Sequence, residues 1–199
     1  MLTYLRNFLV KKPLIFSLLR KMIELNFVKE KKLIKNTFNV RSGKKILDIG
    51  CGPGEFAKLF NNLDYYGVDI SEIYVNYAAK KNKGSFQVMN STDLKFPDNS
   101  FDYILIMAIL HHLDDPAMNK TLSEAKRVLK PGGTLLIMED AKVVELENLV
   151  VKFFQKFDHG DFIRTPDEYK KAVLNFFNIS QESTFGSGGC TYCGFVLIK

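Results

Sequence analysis

From residue 44 onward, short hydrophobic runs alternate with segments in which apolar residues recur at helical spacing. The hydrophobic runs predict strands near residues 45–49, 64–69, 85–89, 102–107 and 134–139. The segments between them predict helices at about 54–62, 72–82 and 116–129. Strands that alternate with helices favour a parallel sheet covered on both faces, so the pattern predicts an α/β fold.

Polar residues at the predicted helix starts support these boundaries. Ser71 and Asp115 are suited to cap the helices that follow them. Thr165 and Glu168 have the spacing of a capping box, which predicts a further helix running to about Phe176.

The pattern changes near the end of the sequence. Two strand-like runs, at residues 179–185 and 192–198, flank the glycine-rich residues 186–189. Consecutive strands joined by a short glycine-rich connection predict an antiparallel hairpin.

A glycine-rich turn follows the first predicted strand. Gly50, Gly52 and Gly54 alternate there, directly after the apolar run that contains Asp48. Glycine suits a turn with positive φ, and it lets a ligand approach the main chain without an intervening Cβ. The next strand ends on Asp69, whose carboxylate can accept hydrogen bonds from both hydroxyls of a ribose. These features predict a nucleoside-binding cleft, and on their own they fit nicotinamide, flavin or S-adenosylmethionine.

Three further segments follow in a fixed order, at residues 93–102, 110–116 and 127–137. The second reads Leu-His-His-Leu-Asp-Asp-Pro and the third begins Arg-Val-Leu-Lys-Pro-Gly-Gly. Together with the glycine turn, they make residues 44–140 resemble the class I S-adenosylmethionine-dependent methyltransferases. The resemblance is strongest to the small-molecule branch, which is similar to the ubiquinone and menaquinone biosynthesis enzymes.

The resemblance implies a fold and a domain organisation. The expected fold is a Rossmann-like seven-stranded sheet of order 3-2-1-4-5-7-6 with the last strand antiparallel, helices on both faces and an N-terminal helical extension. The chain then forms one methyltransferase domain. Residues 1–43 would be a helical lid, 44–140 the cofactor-binding core, and 141–199 the acceptor-side helices and closing hairpin.

The resemblance also assigns residues to S-adenosylmethionine. The turn beneath the methionine part would contain Asp48, Gly50, Cys51, Gly52 and Gly54, with Cys51 a small packing residue more than a nucleophile. The adenosine part would contact Asp69, Ile70, Asn90 and Ser91, and Met107 would line the cofactor or acceptor side. Relatives often have an aspartate where this chain has Asn90, whose side-chain oxygen can still accept from the adenine amine.

The histidines are the candidates for catalysis. His111 and His112 follow the fourth strand, and a histidine titrates near neutrality, so either could take a proton from an acceptor hydroxyl. The alternative is that His112 shapes the loop. His159 and Arg164 lie where relatives build acceptor pockets, and the alternative for them is a loop anchor.

The basic charge is concentrated at the N-terminal end of the sequence. Residues 1–45 contain 12 Lys and Arg against 2 acidic residues, whereas the remainder contains 16 against 20. Apolar residues are interleaved with these lysines, which indicates a basic, apolar helical segment. We expect helices that cover the cleft. A peripheral membrane or lipid-substrate contact and a nucleic-acid contact are the alternatives.

Length and cysteine content restrict the class of protein. A chain of 199 residues suits one domain, and its three cysteines do not form a secreted disulfide framework. The apolar stretch 14–19 is too short for a membrane span, so we expect a cytoplasmic protein. Cys190 and Cys193 have zinc-ligand spacing but no second pair, and we predict no metal site.

The predicted function is methyl transfer from S-adenosylmethionine to a small-molecule or lipid-like acceptor. Residues 106–109 lack the Asn/Asp-Pro-Pro-Tyr motif of amino-group nucleic-acid methylases, so we expect no nucleic-acid substrate. Two alternatives remain. One is a nucleoside-cofactor-binding module without catalysis. The other is an NAD-dependent oxidoreductase, which is disfavoured because no catalytic tyrosine or second domain is evident.

Overall fold

The computed structural model describes residues 12–38, 43–142 and 161–199. The α-helices in these residues are α1 (Pro13–Ile23), α2 (Val28–Thr37), α3 (Glu72–Lys81), α4 (Asp115–Val128) and α5 (Pro166–Leu174). The strands are β1 (Lys45–Ile49), β2 (Asp64–Asp69), β3 (Ser85–Val88), β4 (Phe101–Met107), β5 (Leu129–Asp140), β6 (Asn178–Ser187) and β7 (Cys190–Ile198). Short 3₁₀ helices span Leu25–Phe27, Ala57–Phe60 and Leu110–His112.

The strands form one seven-stranded sheet in the order β3-β2-β1-β4-β5-β7-β6, which confirms the predicted fold. β7 runs antiparallel to both of its neighbours, and the other pairs are parallel. Ile49 lies opposite both Val68 and Ile106, so β1, β2 and β4 end at the same level. The loops that follow these strands therefore meet at one edge of the sheet, where open α/β sheets bind ligands.

The predicted helix at 54–62 is wrong in type and length. Only Ala57–Phe60 is helical, and it is a 3₁₀ turn. Gly54 has a φ of +80°, so the glycine turn uses the residues that would have formed the first helical turn. Asn61 and Asn62 then end the segment, because asparagine competes for backbone hydrogen bonds.

Two of the predicted caps are confirmed and one is displaced. Ser71 accepts from the Tyr74 N–H, and Thr165 forms a complete capping box with Glu168. The cap of α4 is Asp114, which accepts from the Ala117 N–H, and not the predicted Asp115. Asp115 is already helical because proline follows it at the second helical position, where its missing N–H costs nothing. The helix after Thr165 ends at residue 174, two residues before the predicted end.

Hydrophobic residues fill both faces of the sheet. β1 shows the alternation, because Leu47 joins the cluster that contains α4 and α5 whereas Ile46 joins the opposite cluster. That opposite cluster includes Phe27, Ile34 and Phe38, all of which are almost fully buried. The N-terminal extension is therefore part of the core.

A left-handed turn joins α1 to α2. The φ angles are +48° at Leu25, +60° at Asn26 and +56° at Phe27, although only asparagine among these residues accepts left-handed backbone readily. The turn directs Phe27 into the core and leaves Leu25 exposed.

The tip of the β6–β7 hairpin contacts the end of α1. The Gly189 N–H donates to the Ile23 carbonyl at 3.0 Å, and the Ser187 hydroxyl donates to the Glu24 carbonyl at 3.2 Å. The Tyr192 hydroxyl donates to the Glu24 carboxylate at 2.5 Å. Hydrogen bonds to a hairpin far along the chain thus fix the position of α1.

Candidate active site

The glycine turn after β1 is bonded to the end of β2. The N–H groups of Gly50 and Cys51 both donate to the Val68 carbonyl, at 2.8 and 3.0 Å. The next N–H, from Gly52, donates to the Asp69 carboxylate at 2.9 Å. Gly50 and Gly52 both have positive φ, and a Cβ built on Gly52 would enter open space. The turn therefore exposes its backbone to the cleft.

Asp69 joins the two loops at the edge of the sheet. One carboxylate oxygen accepts from Gly52, and the other accepts from the Ser71 N–H at 2.8 Å. Burial raises the pKa of Asp69, and the two backbone hydrogen bonds oppose that shift. Each oxygen keeps a further lone pair for a ligand.

A cavity of about 310 Å³ lies between these loops and the N-terminal helix. It is within the size range of small-molecule and cofactor sites. Ten of the predicted site residues line it: Asp48, Gly50, Cys51, Gly52, Asp69, Ile70, Asn90, Ser91, Met107 and His112. Gly54 and His111 are the two that do not.

Gly54 serves helix packing. A Cβ at this position would lie 3.2 Å from the Ala78 Cβ and would collide with the Asn82 side chain. The glycine thus permits the turn to approach α3 closely, and this explains its place in the motif without a ligand contact.

Asp48 and Cys51 are buried beneath the turn. Burial raises the pKa of Asp48 to about 7, although the Tyr65 hydroxyl donates to its carboxylate at 2.6 Å and opposes the shift. Burial also raises the pKa of the Cys51 thiol, which fits a packing residue better than a nucleophile.

The residues expected near adenine have different environments. The Ile70 side chain is exposed at the mouth of the cavity, where a ring could cover it. The Asn90 side-chain oxygen already accepts from the Thr92 N–H and hydroxyl, at 3.0 and 2.9 Å. The Ser91 hydroxyl lies 2.9 Å from the Thr121 hydroxyl. Asn90 therefore shapes its own turn in addition to facing the cavity.

The two histidines lie in opposite surroundings. His112 is exposed and lines the cavity, whereas His111 is buried with its Nδ1 2.8 Å from Glu139 Oε2. The same carboxylate accepts from the N–H groups of Ile109 and Leu110, each at 3.0 Å. Glu139 thus fixes the loop that carries His112. The sequence analysis overlooked this residue, although a carboxylate at the end of a buried strand was a usable signal.

Arg164 fixes the same loop from its other side. The guanidinium donates to the carbonyls of Leu110 and Leu113, at 3.1 and 2.9 Å, and to the Asp115 carboxylate at 2.6 Å. Arg164 is buried and does not line the cavity. The loop-anchor interpretation therefore describes it better than an acceptor contact. His159 lies outside the described residues.

We expect Glu139→Gln to destabilise the loop while leaving the cofactor residues in place. The amide cannot accept all the hydrogen bonds of the carboxylate, and hydrogen bonds to a charged group contribute about 1.5–3 kcal/mol. For a chain of this size, that corresponds to a decrease in melting temperature of roughly 3–10 °C. Differential scanning calorimetry measures it, and Glu182→Gln, which removes an exposed ion pair with Lys170, is the matched control. Equal melting temperatures in the two variants would contradict the assigned role.

Residues of α1 also line the cavity. Phe16 stacks on Tyr74 of α3, with ring centroids 5.4 Å apart, and Ser17 and Arg20 face the same space. Ser17 donates to the Glu55 carboxylate, which also pairs with Lys21 at 3.0 Å. No motif marks these residues, because the sequence shows an amphipathic segment but not which of its faces meets the cleft.

Arg127, the first residue of the segment 127–137, stabilises a loop, and the sequence analysis did not identify this role. Arg127 donates to the carbonyls of Leu94 and Phe96, both at 2.8 Å, and pairs with Asp98 and Glu124. It thus fixes the loop between β3 and β4.

Cys190 and Cys193 do not share a site. They lie three residues apart on β7, so their side chains point to opposite faces of the sheet, and each joins a different core cluster. The zinc-like spacing is therefore incidental.

Comparison with known proteins identifies the same class. Residues 47–137 match a family model described as a methyltransferase domain. The demethylmenaquinone methyltransferase of Staphylococcus saprophyticus is 29% identical over 162 residues, covering 74% of this chain and 69% of that protein. The ubiquinone/menaquinone biosynthesis C-methyltransferase of Rickettsia typhi is 35% identical over 144 residues, covering 63% of this chain and 56% of that protein.

Solved structures share the fold. A SAM-dependent methyltransferase from Methanosarcina mazei has a TM-score of 0.69 at 22% identity, covering 84% of this chain and 96% of that one. One from Aquifex aeolicus has a TM-score of 0.68 at 21% identity, covering 92% and 98%. These findings show that residues 47–137 match a methyltransferase domain, that the chain shares the fold of S-adenosylmethionine-dependent methyltransferases, and that it is similar to the ubiquinone and menaquinone methyltransferases.

Proposed function

We propose that the protein transfers the methyl group of S-adenosylmethionine to a small, quinone-like and lipid-like acceptor. The observation that carries the proposal is that one cavity contains both Asp69 and His112. Asp69 is suited to a ribose, and His112 lines the same cavity from the 3₁₀ helix after β4. The names of the relatives, which methylate demethylmenaquinone or serve ubiquinone and menaquinone biosynthesis, support this class of acceptor.

The residues that would hold the cofactor fit its chemistry. Asp69 can accept from the ribose hydroxyls, Ile70 can contact the adenine ring, and the open space above Gly52 leaves room for the methionine part. When bound, the sulfonium supplies a methyl group that is already activated for transfer.

The rest of the cavity suits an apolar ring. Phe16, Met107, Ile109 and Leu113 contribute hydrophobic side chains to it. Orientation of the acceptor and exclusion of water can supply much of the rate enhancement, since the methyl group needs in-line attack. His112 would take the proton from the acceptor hydroxyl or acidic carbon.

The experiment that tests the proposal is an acceptor series with radiolabelled S-adenosylmethionine. Reduced naphthoquinols and benzoquinols with short side chains should be methylated, whereas tRNA and single-stranded DNA should not. Methylation of a nucleic acid, or binding of S-adenosylhomocysteine without turnover of any quinol, would contradict the proposed acceptor class.

We also infer that α1 acts as a lid over the bound molecules. Phe16→Ala removes an aromatic contact with Tyr74 that contributes about 0.5–1.5 kcal/mol beyond its buried area. The Michaelis constant for a soluble quinol should therefore rise roughly 3- to 10-fold. Leu18→Ala changes the outer face of the same helix and should leave this constant unaltered. If both variants match the parent, α1 does not contribute to the site.

A cytoplasmic location fits the cysteines. Cys51 and Cys193 are free thiols, which suits a reducing compartment. We propose no nucleic-acid partner. The cavity is lined mainly by apolar side chains and has few cationic groups that could bind phosphates.

A further inference from the structure

Helix α1 lies between the cavity and the solvent. Its inner face lines the cavity through Phe16, and its outer face is exposed over more than two turns. Leu18 is 52% exposed and Met22 is 76% exposed. The outer face consists of Leu14, Ile15, Leu18, Leu19 and Met22, and it is called the outer stripe below. A contiguous exposed apolar stripe of this kind marks an interaction surface.

The exposed charges of the extension that carries the outer stripe are of one sign. Glu24 and Glu30, the acidic residues of the described extension, are both buried. Glu24 is held by the Tyr192 hydroxyl and the Arg20 guanidinium, at 2.5 and 2.6 Å. The exposed charges of the same segment are lysines, at positions 12, 29, 32 and 35. Folding thus turns both acids of this segment inward, and its fully exposed charges are all cationic.

We propose that the outer stripe and these lysines dock on an anionic phospholipid surface. Apolar side chains that enter the interface while lysines meet anionic headgroups are the properties of a helix that lies in the membrane plane. Among the described residues, no helix is long and apolar enough to cross a bilayer, so contact would be peripheral. The proposal deepens the proposed function and rests on it in one respect. A lipid-like acceptor would pass from the bilayer beneath α1 to the cavity on its other side.

The left-handed turn at residues 25–27 extends the stripe. Leu25 is exposed next to Met22, and Val28 is exposed at the start of α2, whereas Phe27 between them is buried. If α1 continued as an ordinary helix through residues 25–27, the side chains of Leu25 and Val28 would point in directions other than those they have here. The left-handed turn leaves both side chains exposed to solvent.

The test is sedimentation of the full chain with vesicles. Vesicles of equal parts phosphatidylglycerol and phosphatidylcholine should bind the protein at low salt, and affinity should fall at least tenfold in 0.5 M salt or with phosphatidylcholine alone. Leu18→Asp should reduce binding tenfold or more. Leu174→Asp is the matched control, since Leu174 is 53% exposed on a different helix, and it should stay within twofold of the parent.

Three results would overturn the docking proposal. The first is equal binding to neutral vesicles, and the second is equal loss of binding in the two leucine variants. The third is that the parent protein does not bind vesicles because its stripe is covered, either by a second copy, which sedimentation equilibrium detects as a dimer, or by other parts of the chain. Calorimetry with S-adenosylhomocysteine confirms that each variant is folded. Turnover of a short-chain soluble quinol without vesicles tests the proposed function separately, so either idea can fail alone.

Discussion

Asp69→Ala should weaken the binding of S-adenosylhomocysteine at least 30-fold. The ribose hydroxyls would lose their acceptor in a closed cleft, and charge-assisted hydrogen bonds of this kind contribute about 2–4 kcal/mol. The substitution also removes the partner of the Gly52 and Ser71 N–H groups, so the glycine turn loses its attachment to β2. Isothermal titration calorimetry measures the affinity.

Two companion variants separate these effects. Asp69→Asn keeps an acceptor oxygen for one of the backbone N–H groups but removes the charge, so its affinity should lie between those of the parent and the alanine variant. Asp93→Ala removes an exposed carboxylate that pairs with Lys95 away from the cavity, and it should bind normally. Normal affinity in a folded Asp69→Ala protein would overturn the ribose assignment.

His112→Ala should lower turnover roughly 10²- to 10⁴-fold if His112 is the general base, with cofactor affinity close to that of the parent. The geometry supports this expectation because His112 lines the cavity while Glu139 and Arg164 hold its loop. The variant should also lose an ionisation near neutral pH from the rate profile. Steady-state kinetics across pH 5–9 measure both quantities.

The pH profile needs a control because the buried Asp48 is a second candidate for an ionisation in this range. Burial raises its pKa to about 7, so Asp48→Asn should alter the profile without the loss of turnover expected for His112→Ala. A combined loss of melting temperature, cofactor affinity and activity in His112→Ala would assign the residue to loop structure instead. Ordinary turnover and an unchanged profile would exclude both roles.

The glycine turn shows why much of this site was predictable from the sequence. Gly50 and Gly52 have positive φ, which few residues other than glycine adopt. Asp69 accepts two backbone hydrogen bonds, which requires a side chain with two acceptor oxygens. The strands were predictable for a similar reason, because a buried parallel strand must be a short apolar run bounded by turn residues.

The sequence analysis failed where tertiary contacts determine the local structure or the role of a side chain. The helix predicted at 54–62 depends on how much of the segment the glycine turn occupies, and this is not visible in hydrophobic periodicity. The contact of Gly54 with α3 could not be predicted because the motif gives no sign of it, and the assignment of Gly54 to the cofactor turn stays a prediction. Glu139 and Arg127 were missed because their partners are backbone groups distant in sequence.

The attachment of α1 to the β6–β7 hairpin has a consequence for the order of folding. The contacts of Glu24 with Ser187 and Tyr192 join residues 163 and 168 positions apart. During synthesis, α1 cannot reach its final position until the hairpin has left the ribosome, although β1 to β4 can pair earlier. Contacts of such large sequence separation form late and slowly. The nascent chain therefore passes through a period in which α1 can reach Tyr74 and Glu55 but not the hairpin, so that the end of α1 near Glu24 is left without its native hydrogen bonds.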